Sequence, residues 1–282
     1  MSELLIELFS EEMPPNLQIN ARTQFKKFLQ EEISSLNLKY KTFEVYSTPT
    51  RLTIFILGLS NKIKILPSEI KGPKLGVPHN VIENFAKSKS LKVEDLYKKE
   101  LEKGTFYFVK IKGKEINTED ELAKIIPKSL NRISWKKSMK WSNYELSWGR
   151  PLRFILSVFN QKHLKFKYAH LDTVNFTVVE EDTEIKQKKI KDFHEYQEFL
   201  RSNEIILDHN KREKLILEKV KSICKNRSCK EYIDQSLLTE VSNLVDKPRI
   251  VLAKFDKSYL KLPSEVIKST LQFHQRYFTL VD

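Results

Sequence analysis

Apolar and polar positions along the 282-residue chain change period repeatedly, and each change predicts an element. Leu4 to Phe9 reads as a strand. Pro14-Pro15 then opens a long helix to about Leu36, with Leu17, Ala21, Phe25, Phe28 and Leu29 on one face. Phe43–Tyr46 and Arg51–Leu59 read as strands separated by a turn at Ser47-Thr48-Pro49-Thr50. Residues 60–80 are a connection punctuated by lysine and proline, and Val81–Lys87 is a short helix. Thr105–Lys112 alternates as a half-buried strand does. A capping box at Thr118–Glu121 opens a helix to about Ile133. Arg153–Phe159 and Leu164–Tyr168 are strands, with a hairpin across Asn160-Gln161. Residues 180–191 are charged and poorly patterned, a candidate linker.

Helices follow at Asp192–Arg201 and Asp208–Lys225. Leu237, Leu238, Val241, Leu244 and Val245 recur at helical spacing until Lys247-Pro248 ends that helix, because proline has no amide proton. Arg249–Ala253 reads as a short buried strand, Leu262–Glu265 starts a helix to about His274, and Tyr277–Val281 is β-prone. Strands interspersed with helices, without steady βαβ alternation, predict an α+β fold with mixed or antiparallel sheets and packed helices. Two subdomains are expected, an N-terminal α+β region over 1–180 and a second α+β region over 181–282.

Composition narrows the function classes. The chain is 40% hydrophobic and 31% charged, so it has the material for a packed core. No apolar run approaches the roughly 18 residues of a membrane span. Glu3 and Glu7 stand where a secretory signal would be positive, which predicts a cytoplasmic protein with no membrane partner. Cys224 and Cys229 lack companions at zinc-like intervals and read as reduced thiols. The six histidines are scattered, so neither a catalytic nor a metal site is read. No phosphate-binding glycine loop, dinucleotide fingerprint, zinc-protease helix or nucleophile elbow is present.

The net charge of +13 fits a polyanionic partner, since lysine and arginine displace counterions from phosphates. Total charge is weak evidence here, because 40 of the 50 basic residues are lysine in a chain poor in glycine, a pattern that codon bias alone produces. Local placement is more telling. Residues 131–153 carry Arg132, Lys136, Lys137, Lys140, Arg150 and Arg153 against Glu145 alone, a net of +5. Trp135, Trp141, Tyr144 and Trp148 are interleaved with them, and aromatic rings stack on unpaired bases or fill cores and interfaces.

Several blocks resemble one family. LLIELFSEEMPP at 4–15, YSTPTRLTIFI at 46–56, KGP at 71–73 with GVP at 76–78, MKWSNYELSWGRPLRFIL at 139–156, and LLTEVSNLVDKP, FDKSYLKLPSEVI and HQRYF near the C-terminal end are similar to blocks of the beta subunit of two-chain bacterial glycyl-tRNA synthetase. AHLDTVNFTVV at 169–179 departs from the family's Thr-x-Gly-His-Arg-Phe motif. The resemblance implies the N-terminal part of a ligase subunit that is itself non-catalytic and supports tRNA(Gly) binding and alpha-subunit assembly in an α2β2 enzyme. It implies no cofactor in this region, ATP and Mg being used by the alpha subunit. An editing-type hydrolytic domain and a purely structural scaffold without RNA contact are the alternative readings.

Candidate contacts to tRNA or the other subunit are Arg51, Lys136, Lys137, Lys140, Arg150, Arg153, His274, Gln275 and Arg276. Arginine binds phosphate in bidentate fashion, yet Arg51, Arg150 and Arg153 each abut a strand where a buried carboxylate is an equal partner. The missing nucleotide motifs give a first prediction. The isolated chain should show no glycine-dependent pyrophosphate exchange above background, and exchange without an alpha chain would overturn the non-catalytic reading.

Overall fold

The computed structural model describes residues 2–65, 67–89, 91–111, 113–181 and 183–281. The strands and helices run, in order, β1 Glu3–Ser10, α1 Pro15–Ser35, β2 Thr42–Thr48, β3 Arg51–Leu57, β4 Lys62–Ile65, β5 Ser68–Lys74, α2 His79–Ser88, β6 Tyr97–Leu101, β7 Gly104–Ile111, β8 Lys114–Asn117 and α3 Thr118–Asn131. They continue with β9 Leu152–Phe159, β10 Lys162–His163, β11 Lys167–Tyr168, β12 Leu171–Val174, β13 Phe176–Glu181, β14 Glu184–Lys189, α4 Phe193–Ser202, α5 His209–Arg227, β15 Lys230–Tyr232, α6 Gln235–Leu244, α7 Ser264–Ser269 and β16 Thr279–Val281. Helices with mixed and antiparallel sheets make this an α+β fold.

The chain divides into two compact units, one of Met1–Ser60 with Leu122–Asp282 and one of Asn61–Glu121. The division expected near residue 180 is not where the contacts thin out. One core cluster joins Leu5, Leu156, Val158 and Val179 to Ile190, Phe193, Tyr196 and Leu200, so the N-terminal sheet and the helix after residue 190 share an interior.

In the larger unit a seven-stranded sheet has the order β11-β12-β9-β1-β3-β2, with β10 also on β9. All pairings are antiparallel except β12 with β9. β1 lies between β3 and β9 and is buried from Leu4 to Ser10, so both of its faces are covered. Its alternate residues divide the core. Leu5 joins the cluster around α4, while Ser47, on the opposite face of β2, meets Gln18 and Arg22 of α1.

Local chemistry starts and stops the helices as expected. Pro15 occupies the first turn of α1, and Leu17, Ala21, Phe25, Leu29 and Ile33 form its buried stripe at four-residue spacing. Asp192, Asp208 and Asp234 cap α4, α5 and α6, accepting from the amides of Glu195 (2.8 Å), Asn210 (2.9 Å) and Leu237 (2.9 Å). The Asn160-Gln161 hairpin forms with both residues left-handed, at φ 52° and 64°, the geometry of a two-residue primed turn.

Arg212, on α5, is fully buried and among the described residues has no direct carboxylate partner. Its guanidinium donates to the carbonyls of Ser242 (2.9 Å), Leu207 (3.0 Å) and Ser47 (2.7 Å) and so ties α5 and α6 to the sheet. Gln18 of α1 reaches the Asn243 carbonyl at 2.7 Å from the other side.

The smaller unit holds a β4–β8 pair, a β5-β7-β6 sheet and α2. Ile82, Ala86, Phe108 and Val109 are buried. Gly72 lies under Phe85, where an added Cβ would stand 2.4 Å from the ring.

The structure corrects four sequence-based expectations. The connection at 60–80 contains β4 and β5, because the Lys-Ile-Lys-Ile alternation forms a strand despite its charge. The linker at 180–191 contains β14, paired along its length with β13. The strand expected over Arg249–Ala253 is exposed, unpaired chain among the described residues, with Val251 83% accessible. The helix to His274 is short α7 followed by a wide π-type turn at Thr270–His274. Leu66, Lys112 and Asp182, which fall inside the expected connection, strand and linker, lie outside the described residues.

Phe25→Ala removes a fully buried ring and should cost about 3–5 kcal/mol in a urea melt. Phe255, between the expected strand and the expected helix, is 48% exposed. Phe255→Ala should leave the melt within about 0.5 kcal/mol of wild type, and a core-sized loss there would show that the segment packs inward.

Candidate nucleic-acid interface

Residues 132–150 leave the end of α3 and return to the sheet as an anchored hairpin. Met139 and Trp148 exchange backbone hydrogen bonds of 2.9 and 3.1 Å, and Ser147 Oγ donates to Ser138 Oγ at 2.9 Å. Trp148 is buried, packing on Trp135 at 4.7 Å between ring centroids and edge-on to Tyr168 at 5.9 Å. Gly149 is required by that packing, since a Cβ there would lie 2.6 Å from the Trp135 ring.

The four aromatics of this segment therefore divide. Trp135 and Trp148 hold the base of the hairpin. Trp141 and Tyr144 sit at its tip, where the Tyr144 amide donates to the Trp141 carbonyl at 3.3 Å and Ser142 is left-handed at φ 52°. There Tyr144 stacks on His170, from the β11–β12 turn, with centroids 3.5 Å apart and planes 4° from parallel. Trp141 stands edge-on to both rings, at 6.5 and 5.9 Å. His170 and Tyr144 are 26 positions apart and no local pattern joins them, so this stack is not legible in the sequence.

The basic residues divide too. Arg132 is spent on Glu31 and Glu32 of α1, its Nη1 lying 3.3 Å from Glu32. Arg153 pairs with Glu180 at 2.6 Å and lies over the Phe9 ring, and the Glu180 carboxylate raises its pKa. Lys136, Lys137 and Lys140 are exposed and make no ion pair among the described residues. Arg150 is half-buried, and among the described residues its guanidinium donates to the Gly149 carbonyl at 3.3 Å and makes no ion pair. Lys165 and Lys167, exposed on the segment leading to His170, are likewise unpaired and were missed as candidates.

Arg51 is a correction. It is 2% exposed, its Nε is 2.9 Å from Glu7 Oε1, its Nη1 is 3.8 Å from Asp246, and its Nη2 donates to the Val178 carbonyl. A guanidinium so enclosed is not presented to RNA or to another chain. Tyr196 also donates to Glu7 Oε1 at 2.9 Å, and Thr53 Oγ1 is 2.9 Å from the same phenol oxygen. Burial raises the Glu7 carboxyl above its ordinary pKa, with the Arg51 guanidinium pulling the other way, and burial beside Glu7 raises the Tyr196 phenol.

At the other end of the chain His274 and Gln275 are exposed. Arg276 is left-handed at φ 59°, and its Nε donates to Glu240 of α6 at 2.9 Å. It fastens the wide turn to α6, while Phe278 packs against Ile216, Val220, Cys224 and Leu238. The 131–150 and 274–276 clusters are thus separate features, and the hairpin combines lysines that make no ion pair among the described residues with one exposed ring, Tyr144.

A family profile described as glycyl-tRNA synthetase beta subunit matches residues 4–282. The chain belongs to that family. It is 36% identical over 282 residues to the glycine–tRNA ligase beta subunit of Rickettsia prowazekii strain Madrid E, covering 100% of this chain and 42% of the relative. The beta subunits of Rickettsia typhi strain Wilmington and Rickettsia peacockii strain Rustic are 35% and 34% identical over the same length and with the same coverage. The chain therefore spans 42% of these curated relatives and corresponds to the N-terminal part of the subunit. Among the described residues no helix is long and apolar enough to cross a membrane.

Gly149→Ala tests the anchoring of the hairpin. The added methyl should displace Trp135, shift tryptophan emission and lower the melting temperature. An unchanged spectrum and melt would mean that the hairpin base is loosely held.

Proposed function

We propose that this chain is the non-catalytic N-terminal region of a glycyl-tRNA synthetase beta subunit, and that it supports tRNA(Gly) binding and alpha-subunit assembly for ATP-dependent glycylation in an α2β2 enzyme. ATP and Mg belong on this reading to the alpha subunit, and the setting is the cytoplasm. The observation that carries the RNA half is the placement of Lys136, Lys137, Lys140 and Arg150, without carboxylate partners, on one hairpin with an exposed tyrosine. Cations already paired within the fold gain little from a phosphate. Unpaired ones release counterions when a phosphate arrives.

Assembly is supported by the chain between Val251 and Tyr277. Val251, Leu252, Phe255, Tyr259, Leu260 and Leu262 are all exposed large hydrophobic residues within one short stretch. Large apolar side chains left in water this close together in the chain support a protein interface. His274, Gln275 and Arg276 follow it directly and are candidate contacts to the same partner. A hydrolytic editing role gains no support. A concavity of about 710 Å³ is an open groove on α1 lined by Thr23, Lys26, Lys27, Gln30, Glu31, Ser34 and Ser35, with no nucleophile–base pair.

Two measurements test the reading. tRNA affinity should fall roughly 10- to 100-fold between about 50 and 200 mM salt, as expected for a few phosphate contacts. Equal affinity at both would remove the RNA role. The chain should also capture the cognate alpha chain, and Phe255→Asp with Leu260→Asp should abolish capture without weakening tRNA binding. Capture unaffected by the double substitution would place the interface elsewhere.

A further inference from the structure

We propose that Tyr144 and His170 form a stacking platform for one unpaired base of a single-stranded RNA segment whose phosphates are held by Lys136, Lys137 and Lys140. The inference rests on the RNA-contact reading above and gives it a site.

The geometry is that of a prepared surface. The two rings are parallel within 4° at 3.5 Å, so His170 covers one face of Tyr144 and Trp141 closes an edge. Yet Tyr144 remains 42% exposed, which leaves its other side and hydroxyl end open. Each ring comes from a tight turn with a left-handed residue beside it, Ser142 in one and Ala169 in the other. Neither turn is free to drift, because Trp148 and Tyr168, at the bases of the two turns, pack together inside the unit. A ring fixed in this way loses little conformational freedom on accepting a third flat partner.

A stack of this quality inside a core would need no further explanation. Here it stands at the outer tip of two loops, where burial gives it no reason to exist. The surroundings select the partner. Lys136, Lys137 and Lys140 lie on the arm that leads into Trp141, and Lys165 and Lys167 lie on the arm that leads into His170. The acidic residues in these arms are Glu145 and Asp172, and Asp172 stands opposite Lys167 in the β11–β12 register. His170 is half-buried, and Tyr144 is the exposed member of the stack. Flat rings beside unpaired lysines match a base attached to phosphate, and a duplex, whose bases are already stacked, does not offer one.

The test compares a short oligoadenylate with a blunt RNA duplex of equal length, by fluorescence anisotropy on the full chain. Tyr144→Ala should weaken oligoadenylate binding about tenfold and leave duplex binding unchanged, and Tyr144→Phe, which keeps the ring, should bind both as wild type does. The Lys136→Ala, Lys137→Ala, Lys140→Ala triple variant should weaken both probes. Undiminished oligoadenylate binding by Tyr144→Ala overturns the platform alone, and so does equal loss of both probes or an equal loss in Tyr144→Phe. A triple variant that binds both probes as wild type does overturns the RNA reading itself. Thermal melts of each variant identify any loss that comes from unfolding, and a Tyr144→Ala chain that loses binding only because it melts makes Tyr144 a folding residue and overturns the platform.

Discussion

The Glu7–Arg51 pair is the constraint around which the larger unit is built. Glu7 sits on the central strand of a sheet covered on both faces, where an unpaired carboxylate would cost several kcal/mol. It is tolerated because three residues from two elements converge on it. Arg51 comes from the neighbouring strand, Tyr196 from the helix packed over that face, and Thr53 steadies the tyrosine. Arg51 in turn reaches the carbonyl of Val178 and faces Asp246 beyond α6. One buried ion pair therefore records the registration of β1, β3, β13 and α4 together. Apolar contacts slide with little penalty, whereas a buried charge pair has one acceptable alignment. It also accounts for a sequence block. In Thr48-Pro49-Thr50-Arg51 the Pro49-Thr50 turn sets the register that puts Arg51 opposite Phe9, from where its side chain reaches Glu7. A motif that resembles a binding signature serves here as the lock of the core.

Much of the fold was readable because its elements carry their own punctuation. β1, α1, β3, α4 and α5 have boundaries set by proline, by aspartate caps or by turn residues, and they fall within a few residues of expectation. What failed was charge used as a sign of disorder. Residues 184–189 read EIKQKK, yet each pairs with a residue of β13, because an edge hairpin needs only backbone partners and its side chains remain in water. The same holds for Lys62–Ile65. The Asn61–Glu121 unit was not visible in the sequence for a related reason. A chain that leaves a unit after Ser60 and re-enters at Leu122 gives no local compositional mark, since continuity of the core is a property of contacts far apart in sequence.

The candidate site was half legible. Clustering of lysine and tryptophan pointed to residues 131–153, but sequence counts a charge whether or not it is already neutralised. Arg132 and Arg153 add to the apparent +5 and then give their charge to Glu31, Glu32 and Glu180. Lys136, Lys137 and Lys140 keep theirs. Aromatic residues sort in the same way. Trp148 and Tyr144 lie in one hairpin, and only burial separates an anchor from a surface ring. The His170 partner came from a turn that sequence reading had set aside as one of several scattered histidines.

The stretch from Val251 to Tyr277 carries the argument one step further. Its apolar residues were read as core because apolar side chains are normally withdrawn from water, and that inference about free energy stands. What periodicity does not specify is the chain that supplies the other half of the interior. Phe278 finds its neighbours within this unit, against Ile216 and Val220. Phe255, Leu260 and Leu262, earlier in the same stretch, stay exposed. Lys254, Lys257, Lys261 and Lys268, which make no ion pair among the described residues, outnumber Asp256 and Glu265, so the segment is basic as well as apolar. An occupant with an apolar centre and an acidic border satisfies both halves of that surface, and a polyanion satisfies only one. The apolar stretch and the lysine hairpin therefore call for different partners. On the reading proposed above, the apolar stretch suits a protein surface and the lysine hairpin suits an RNA strand.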